Sequence, residues 1–276
     1  MKGLLILFIF VAFVLMTYLI KCILSDNLTC QQFKKNTSKN PVKNFKYIPK
    51  KIFQLVADKN DIHPIFQKNI EHIKKLNPDW EYTLYDDNDI FTYIQIHYPP
   101  YILDIYKMIN PKYGAARADF FRYLLMYKEG GVYLDIKSGM KMGLNYILKN
   151  DDEYVLCHWP CSKQSESTNS RFGELQQWNI ICRPNHPFLE AVINNVVQQI
   201  LKYDIYKIGT GKNAVLKVTG PIVYTKSIIP LLNDYHNRII ESHLYIGLVY
   251  NNINSDHIGM FKHKHYSKLS SPVILT

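Results

Sequence analysis

The chemistry-bearing residues of this chain concentrate in one stretch, Ala115 to Gly139, which reads AARADFFRYLLMYKEGGVYLDIKSG. Asp119 and Arg122 stand three apart, which puts them on one face of a helix. Phe120, Phe121, Leu124 and Leu125 around them read as core. Taken alone, the pair is an ion pair on a solvated helix face, worth little. Asp135 changes the balance, because it closes a short apolar strand that begins directly after Gly130-Gly131. In open α/β sheets ligands bind beyond the carboxyl ends of strands. A carboxylate at that edge is placed to hold a metal ion or the hydroxyls of a ligand.

The elements that must position these groups follow from periodicity and punctuation. Residues 51–56 (KIFQLV) read as a strand after Pro49, and residues 64–76 carry apolar side chains at helical spacing. Asn77-Pro78-Asp79 is a turn, and residues 80–85 (WEYTLY) alternate like a strand. Helices are predicted over 87–97, 100–108 and 113–127, the last ended by Glu129-Gly130-Gly131, and a buried strand over 132–136. A strand over 178–182, a helix over 187–203 and a helix after Thr219-Gly220-Pro221 follow, then an irregular, His-rich tail. Strand and helix alternation of this kind argues an α/β domain with a mostly parallel sheet. Residues 161–174 (CSKQSESTNSRFGE) are polar and without period, and read as a long loop.

The chain has 276 residues, 47% of them hydrophobic and 20% charged, enough for one core of ordinary size. Lys and Arg number 33 against 23 Asp and Glu, a formal charge of +10 that suits phosphate-bearing ligands. No zinc-finger spacing, RNA-binding aromatic motif or basic heptad region is visible, so no nucleic-acid partner is expected. Residues 3–20 form an uncharged apolar run between Lys2 and Lys21, with no small-residue cleavage site after it. Residues 1–24 are therefore read as a transmembrane signal anchor, and the polar residues 25–46 as a stem linker. The sequons at Asn27 and Asn36 favour a single-pass, type II orientation with the folded part, residues 47–276, in a lumen. In that compartment one pair among Cys157, Cys161 and Cys182 can bridge. Their spacing matches no structural zinc pattern.

The motifs resemble those of a known group of sugar-transferring enzymes, the initiation-specific mannosyltransferases and inositol phosphoceramide mannosyltransferases. These share a donor-binding region with the clostridial glucosylating toxins. Their pattern, Ala-x-x-Ser-Asp-x-x-Arg-Tyr followed by Gly-Gly-x-Tyr-x-Asp-x-Asp, stands here as Arg117-Ala118-Asp119-Phe120-Phe121-Arg122-Tyr123, then Gly130-Gly131-Val132-Tyr133-Leu134-Asp135-Ile136-Lys137. Ile48-Pro49-Lys50 with Gln54, Asn77-Pro78 through Asp87, Pro184-Asn185-His186-Pro187-Phe188 and Thr219-Gly220-Pro221 resemble further signatures in the same order, with Phe53 where the group has His. The resemblance implies a GT-A-type nucleotide-sugar-binding domain over residues 47–276 that acts with retention at the anomeric carbon. The donor would be a nucleotide-diphospho-sugar, mannose the weighted choice, and the acceptor a glycan or glycolipid. By position Asp119, Arg122, Tyr133 and Asn179 would contact the donor, and Asp135 would be the first acid of the Asp-x-Asp motif. Breaking the sugar–phosphate bond leaves negative charge on the diphosphate, which fixed cations stabilise.

The departure is Lys137, which stands where the second acid belongs. Three readings stay open. Asp135 and tail groups such as His265 hold Mn²⁺ or Mg²⁺ while Lys137 points away. Or Lys137 partly replaces the metal as a compact phosphate-binding cation. Or catalysis has been lost and the chain binds a partner or glycan. Strand residues two apart share a face, which favours Lys137 beside Asp135. The tail holds His257, His263 and His265, with Ser267; His265 and Ser267 are the candidate ligand-closing residues, and His186 reads as structural. A glycoside hydrolase would need two opposed carboxylates, and no motif supplies them.

Overall fold

The computed structural model describes residues 47–159, 173–252 and 266–275. The expected anchor (1–24) and stem (25–46), Cys161, and His257, His263 and His265 lie outside the described residues, as does most of the 161–174 loop. Among the described residues no helix is long and apolar enough to cross a membrane.

Strand β1 (Lys51–Leu55) leads to helix α1 (Pro64–Leu76), β2 (Glu81–Tyr85), α2 (Asp87–His97), α3 (Pro100–Met108) and α4 (Gly114–Glu129). Then come β3 (Gly131–Leu134), β4 (Gly139–Met140), α5 (Leu144–Ile147), β5 (Tyr154–Cys157) and β6 (Asn179–Cys182). Helices α6 (Pro187–Leu201), α7 (Ile205–Ile208), α8 (Gly211–Val218) and α9 (Pro221–Ile228) precede β7 (Arg238–Ile240) and β8 (Leu248–Val249). Asp86 caps α2 through the amides of Asn88 and Asp89, and Asp89 answers to the Asp86 amide, a reciprocal box that fixes where that helix starts. Pro100, Pro187 and Pro221 open their helices, where a missing N–H costs nothing.

The main sheet runs β2-β1-β3-β6-β5-β7. Strand β1 is parallel to both β2 and β3, and β5 is parallel to β7, but β6 is antiparallel to both of its neighbours. The sheet is thus mixed but mostly parallel, as expected, with three of its five pairings parallel. Antiparallel neighbours such as β5 and β6 need no crossover helix between them. A bridge between His158 and Leu175 closes the base of that connection. Alternation sorts the strand residues: Ile52, Val132, Leu134, Val155 and Ile181 share one buried cluster with α1, α5, β4 and β8. On the other face Tyr133 meets α4, and Tyr154 meets Phe188 of α6.

Cys157 and Cys182, on neighbouring strands, are buried free thiols, so those two do not form the bridge envisaged from sequence. The tail returns to the start of α4. Ile109 bridges Ile274, the Asn110 amide donates to Val273 O at 2.9 Å, and the Tyr113 hydroxyl donates to Ser271 O at 2.6 Å.

The link between α4 and β3 is tight. Gly130 has φ +63° and Gly131 φ +91°, a region L side chains rarely adopt. A Cβ on Gly131 would lie 2.6 Å from Lys51 O, and one on Gly130 would lie 2.5 Å from Pro184 Cδ. The pair lets a mostly buried helix turn directly into a fully buried strand. Gly131→Ala is expected to destabilise the domain by about 2–4 kcal/mol, strain and crowding together. Thermal unfolding measures this, and an unchanged midpoint would show that the turn has room to relax.

Candidate active site

Helix α4 is buried along almost its whole length, including Asp119 and Arg122, each 5% exposed. The solvated ion pair that the spacing allows is therefore not what forms. Arg122 Nη2 lies 3.3 Å from Asp119 Oδ1, and Arg122 Nη1 lies 3.0 Å from Asp135 Oδ1. The guanidinium also donates to Gln177 O at 3.0 Å and Ala118 O at 3.3 Å. Its centre sits 4.7 Å from the centroid of the Tyr133 ring. Burial opposes the charge on Arg122, but Asp135, Tyr133 and Asp119 outweigh it and raise its pKa. One buried cation is thus held by two carboxylates, an aromatic face and two carbonyls, as burial of a charge demands.

Asp119 is satisfied on both oxygens. Gln177 Nε2 donates to Oδ1 at 3.0 Å and the Thr219 hydroxyl to Oδ2 at 3.1 Å. Burial nevertheless pushes its pKa up to about 6, with Arg122 and Gln177 pulling against that rise. Asp135 is the open member, its side chain 21% exposed. The Tyr133 hydroxyl, which burial keeps protonated, donates to Asp135 Oδ1 at 2.9 Å. Oδ1 therefore carries both Arg122 and Tyr133, and Oδ2 has no partner among the described residues. The Asp135 backbone is pinned too: its amide donates to Trp178 O at 2.8 Å, and its carbonyl accepts from Gln54 Nε2 at 3.2 Å.

Lys137 goes elsewhere. Strand β3 stops at Leu134, and Asp135 to Ser138 is a turn closed by the Ser138 amide on Asp135 O at 2.8 Å. Strand parity no longer applies there, so Lys137 does not share the partners of Asp135 as parity had favoured. Its Nζ stands 4.9 Å from the centroid of Tyr250, a residue just past β8. Tyr250 meets Trp159 at 5.0 Å and Trp178 at 5.3 Å between ring centroids. His243 packs edge-on against Trp178, and Gln176 Nε2, which also donates to His158 O, donates to His243 Nδ1 at 2.8 Å. Burial lowers the His243 pKa.

Asn179 joins the two halves. Its Nδ2 donates to Gln176 Oε1 at 3.2 Å, while its Oδ1 and the neighbouring Trp178 Nε1 are buried without a partner among the described residues. An unmade buried acceptor and donor, each costing about 1–3 kcal/mol, fit a site built to take polar ligand groups. A metal fits less well. Among the described residues no cluster of three His, Cys, Asp or Glu side chains could hold one, and Asp135 Oδ2 is the single free carboxylate oxygen in the cluster. His265 lies outside the described residues. Ser267 is exposed, on a short turn (Tyr266–Lys268) beside α8.

Asp119, Arg122, Tyr133 and Asp135 are thus brought together, with Asn179 beside them and Lys137 on the Tyr250 side. Sequence reasoning missed the partners Gln177, Gln176, His243, Trp159 and Tyr250. Their only signal was position at strand ends flanking loops. Thr219 and Gln54 had been noted as motif letters, not as the groups that hold Asp119 and Asp135.

Two outcomes test this geometry. Arg122→Met keeps an apolar stem but strands two carboxylates. It is expected to cost about 3–5 kcal/mol in denaturant unfolding, whereas a loss below about 1 kcal/mol would fit a surface pair. For Asp119, the unfolded carboxyl ionises near 3.9 and the folded one near 6, so folding is favoured while it is protonated. The stability of wild type relative to Asp119→Asn should fall as pH rises from about 4 to about 6 and stay level above. A difference that is flat with pH would refute the raised pKa.

Residues 64–153, which contain four of the five clustered groups and Lys137, match the family described as "Glycosyltransferase sugar-binding region containing DXD motif". Inositol phosphoceramide mannosyltransferase 3 of Schizosaccharomyces pombe is 28% identical over 147 residues, covering 53% of this chain and 35% of that protein. A mannosyl phosphorylinositol ceramide synthase of Saccharomyces cerevisiae is 32% identical over 149 residues, covering 54% and 35%. The initiation-specific α-1,6-mannosyltransferase of Candida albicans is 26% identical over 232 residues, covering 73% and 57%. The chain spans about a third to just over half the length of these relatives. Among solved structures, the PaToxG glycosyltransferase aligns at 18% identity and a TM-score of 0.47, covering 78% of this chain and 82% of that one. Residues 64–153 thus match a glycosyltransferase sugar-binding region and the chain is similar to yeast mannosyltransferases, with lysine in place of the second acid.

Proposed function

We propose that this chain transfers a hexose, mannose in preference, from a nucleotide-diphospho-sugar to a glycan or glycolipid acceptor, with retention and within a GT-A-type domain. What carries the reading is the buried Asp119–Arg122–Asp135 array, which aims one free carboxylate oxygen outward from a strand end. Direct donor contact falls to Asp135 and to the unpaired Asn179 Oδ1. A sugar hydroxyl reaching Asp119 or Arg122 has to displace a partner, so these two chiefly hold Asp135 in place. Tyr133 locks the same carboxylate through its hydroxyl. A divalent ion, Mn²⁺ or Mg²⁺, bound by Asp135 and the donor diphosphate would supply positive charge for the leaving group. Lys137 supplies part of that charge from the protein, since a lysine replaces the carboxylate that would otherwise help bind the ion. The mannosyltransferase names of the relatives and the apolar run at residues 3–20 support a membrane-anchored, lumenal enzyme. The second reading, a catalytically silent sugar-binding protein, draws on the same lysine.

Donor hydrolysis by the full chain in detergent, with a panel of nucleotide sugars, separates these readings. A mannosyl donor should be turned over, and Asp135→Asn should lower the rate by on the order of 10²–10³ while also lowering stability, because Arg122 loses one of its two balancing carboxylates. Wild type should keep part of its rate in chelator, and Lys137→Ala should lose that part. Full rate for Lys137→Ala with Mn²⁺, together with none for wild type in chelator, would reject the lysine as a substitute cation. A folded chain that hydrolyses no donor would leave the silent reading.

A further inference from the structure

Three buried side-chain polar atoms around the Asp135 backbone have no partner among the described residues: Ser138 Oγ, Trp178 Nε1 and Asn179 Oδ1. The Ser138 amide donates to Asp135 O, Trp178 O accepts from the Asp135 amide, and Asn179 follows Trp178 at the start of β6. Asn179 is only 2% exposed, so its oxygen has given up solvent without gaining a protein hydrogen bond. The two ends of its amide are not equivalent, since the oxygen only accepts and the nitrogen only donates. Which end is left free therefore decides what ligand group the position takes.

Gln176 makes that decision. Its backbone amide donates to Cys157 O at 2.8 Å, and one end of its side chain lies 3.0 Å from His158 O and 2.8 Å from His243 Nδ1. A backbone carbonyl cannot donate, so this end is Nε2, and His243 Nδ1 is its second acceptor. The other end, Oε1, then faces Asn179 at 3.2 Å. An oxygen there accepts only, so Asn179 must turn Nδ2 toward it and leave Oδ1 free. Turning Gln176 over would set oxygen against oxygen at His158 and nitrogen against nitrogen at Asn179. The His243 ring at the far end is held edge-on by Trp159 and Trp178, at 5.9 and 5.2 Å between centroids. The chain of contacts starts from a fixed backbone atom, so it has one sense only.

We propose that Gln176 is a positioning residue that fixes Asn179 as an obligate hydrogen-bond acceptor, so that this position selects a ligand hydroxyl over any group with no hydrogen to donate. The proposal rests on the reading of this chain as a nucleotide-sugar binder and makes it more specific. Asn179 takes a hydroxyl of the donor sugar, and the diphosphate oxygens, which only accept, are excluded from it. Trp178 Nε1 is the complement, a donor that a hydroxyl oxygen satisfies. A ligand face of hydroxyls meets both unmade groups, whereas phosphate oxygens meet the indole alone. His243 acts only through Gln176.

The test is calorimetric binding to the full chain in detergent. The probes are GDP-mannose and UDP-glucose, each with its monodeoxy and monodeoxyfluoro analogues at every sugar hydroxyl. Fluorine cannot donate, so opposite a fixed carbonyl oxygen it should bind worse than hydrogen, whereas opposite an NH₂ it should bind better. At one position the wild type should rank hydroxyl above hydrogen above fluorine, with the fluoro analogue on the order of 10–10²-fold weaker than the parent. Asn179→Ala should abolish that ranking. Gln176→Met lets the Asn179 amide turn and should bring fluorine level with hydrogen or above it. Gln176→Glu keeps an oxygen toward Asn179 and should keep the wild-type order. Fluorine at or above hydrogen at every position in the wild type overturns the proposal, as does an unchanged order in Gln176→Met. Should thermal unfolding show that Gln176→Met does not fold, the wild-type ranking and its persistence in Gln176→Glu decide. If neither parent binds, the nucleotide-sugar reading falls and this proposal with it. Parent binding with no ranking that depends on Asn179 rejects this proposal alone.

Discussion

Everything at the site depends on Arg122 being charged inside the protein. A guanidinium buried in helix α4 is tolerable only with its donors satisfied and its charge balanced. Asp119 gives the balance from the same helix and Asp135 from the end of β3. The pairing costs something, visible in the raised pKa of Asp119, whose own charge is disfavoured by burial. In return, Asp135 is held by a cation, by the Tyr133 hydroxyl and by two backbone hydrogen bonds, so that its remaining oxygen has one direction open. A carboxylate fixed in this way before ligand arrives need not be ordered on binding.

That arrangement requires α4 and β3 to be immediate neighbours in sequence and in space. The two glycines allow it. With both at positive φ the chain reverses within two residues, and the missing side chains let β1 and Pro184 close in on either side. Without that reversal Arg122 would stand too far from the strand end to reach Asp135. The Gly-Gly pair is thus as much part of the site as the acids.

The turn after β3 has the opposite effect on Lys137. Because the strand stops at Leu134, Asp135 stays on the α4 side while Lys137 reaches the aromatic group of Tyr250, Trp159 and Trp178. The site therefore has two walls of different character. One is a rigid ionic array, the other an aromatic surface with a cation over it and unmade hydrogen bonds at Asn179 and Trp178.

Much of this was legible in the sequence. The helices at 64–76, 87–97 and 100–108 emerged with their observed bounds, because proline starts, an Asp cap and apolar period are local signals. The Asp119, Arg122, Tyr133 and Asp135 set was likewise visible, since all four lie within seventeen residues of one helix–turn–strand unit. What could not be read locally was decided by distant parts of the chain. Burial turned a helix-surface pair into an internal array, because whether α4 faces solvent depends on the sheet and α6 packed around it. The direction of β6 is seen only in its pairing with β3 and β5, not in its own residues. The side chosen by Lys137 depended on Tyr250, more than a hundred positions away, and Gln177 and Thr219 reached Asp119 from segments 58 and 100 positions on. Hydrogen-bond satisfaction of a buried charge is a property of the whole packed interior, and no window of the sequence contains it.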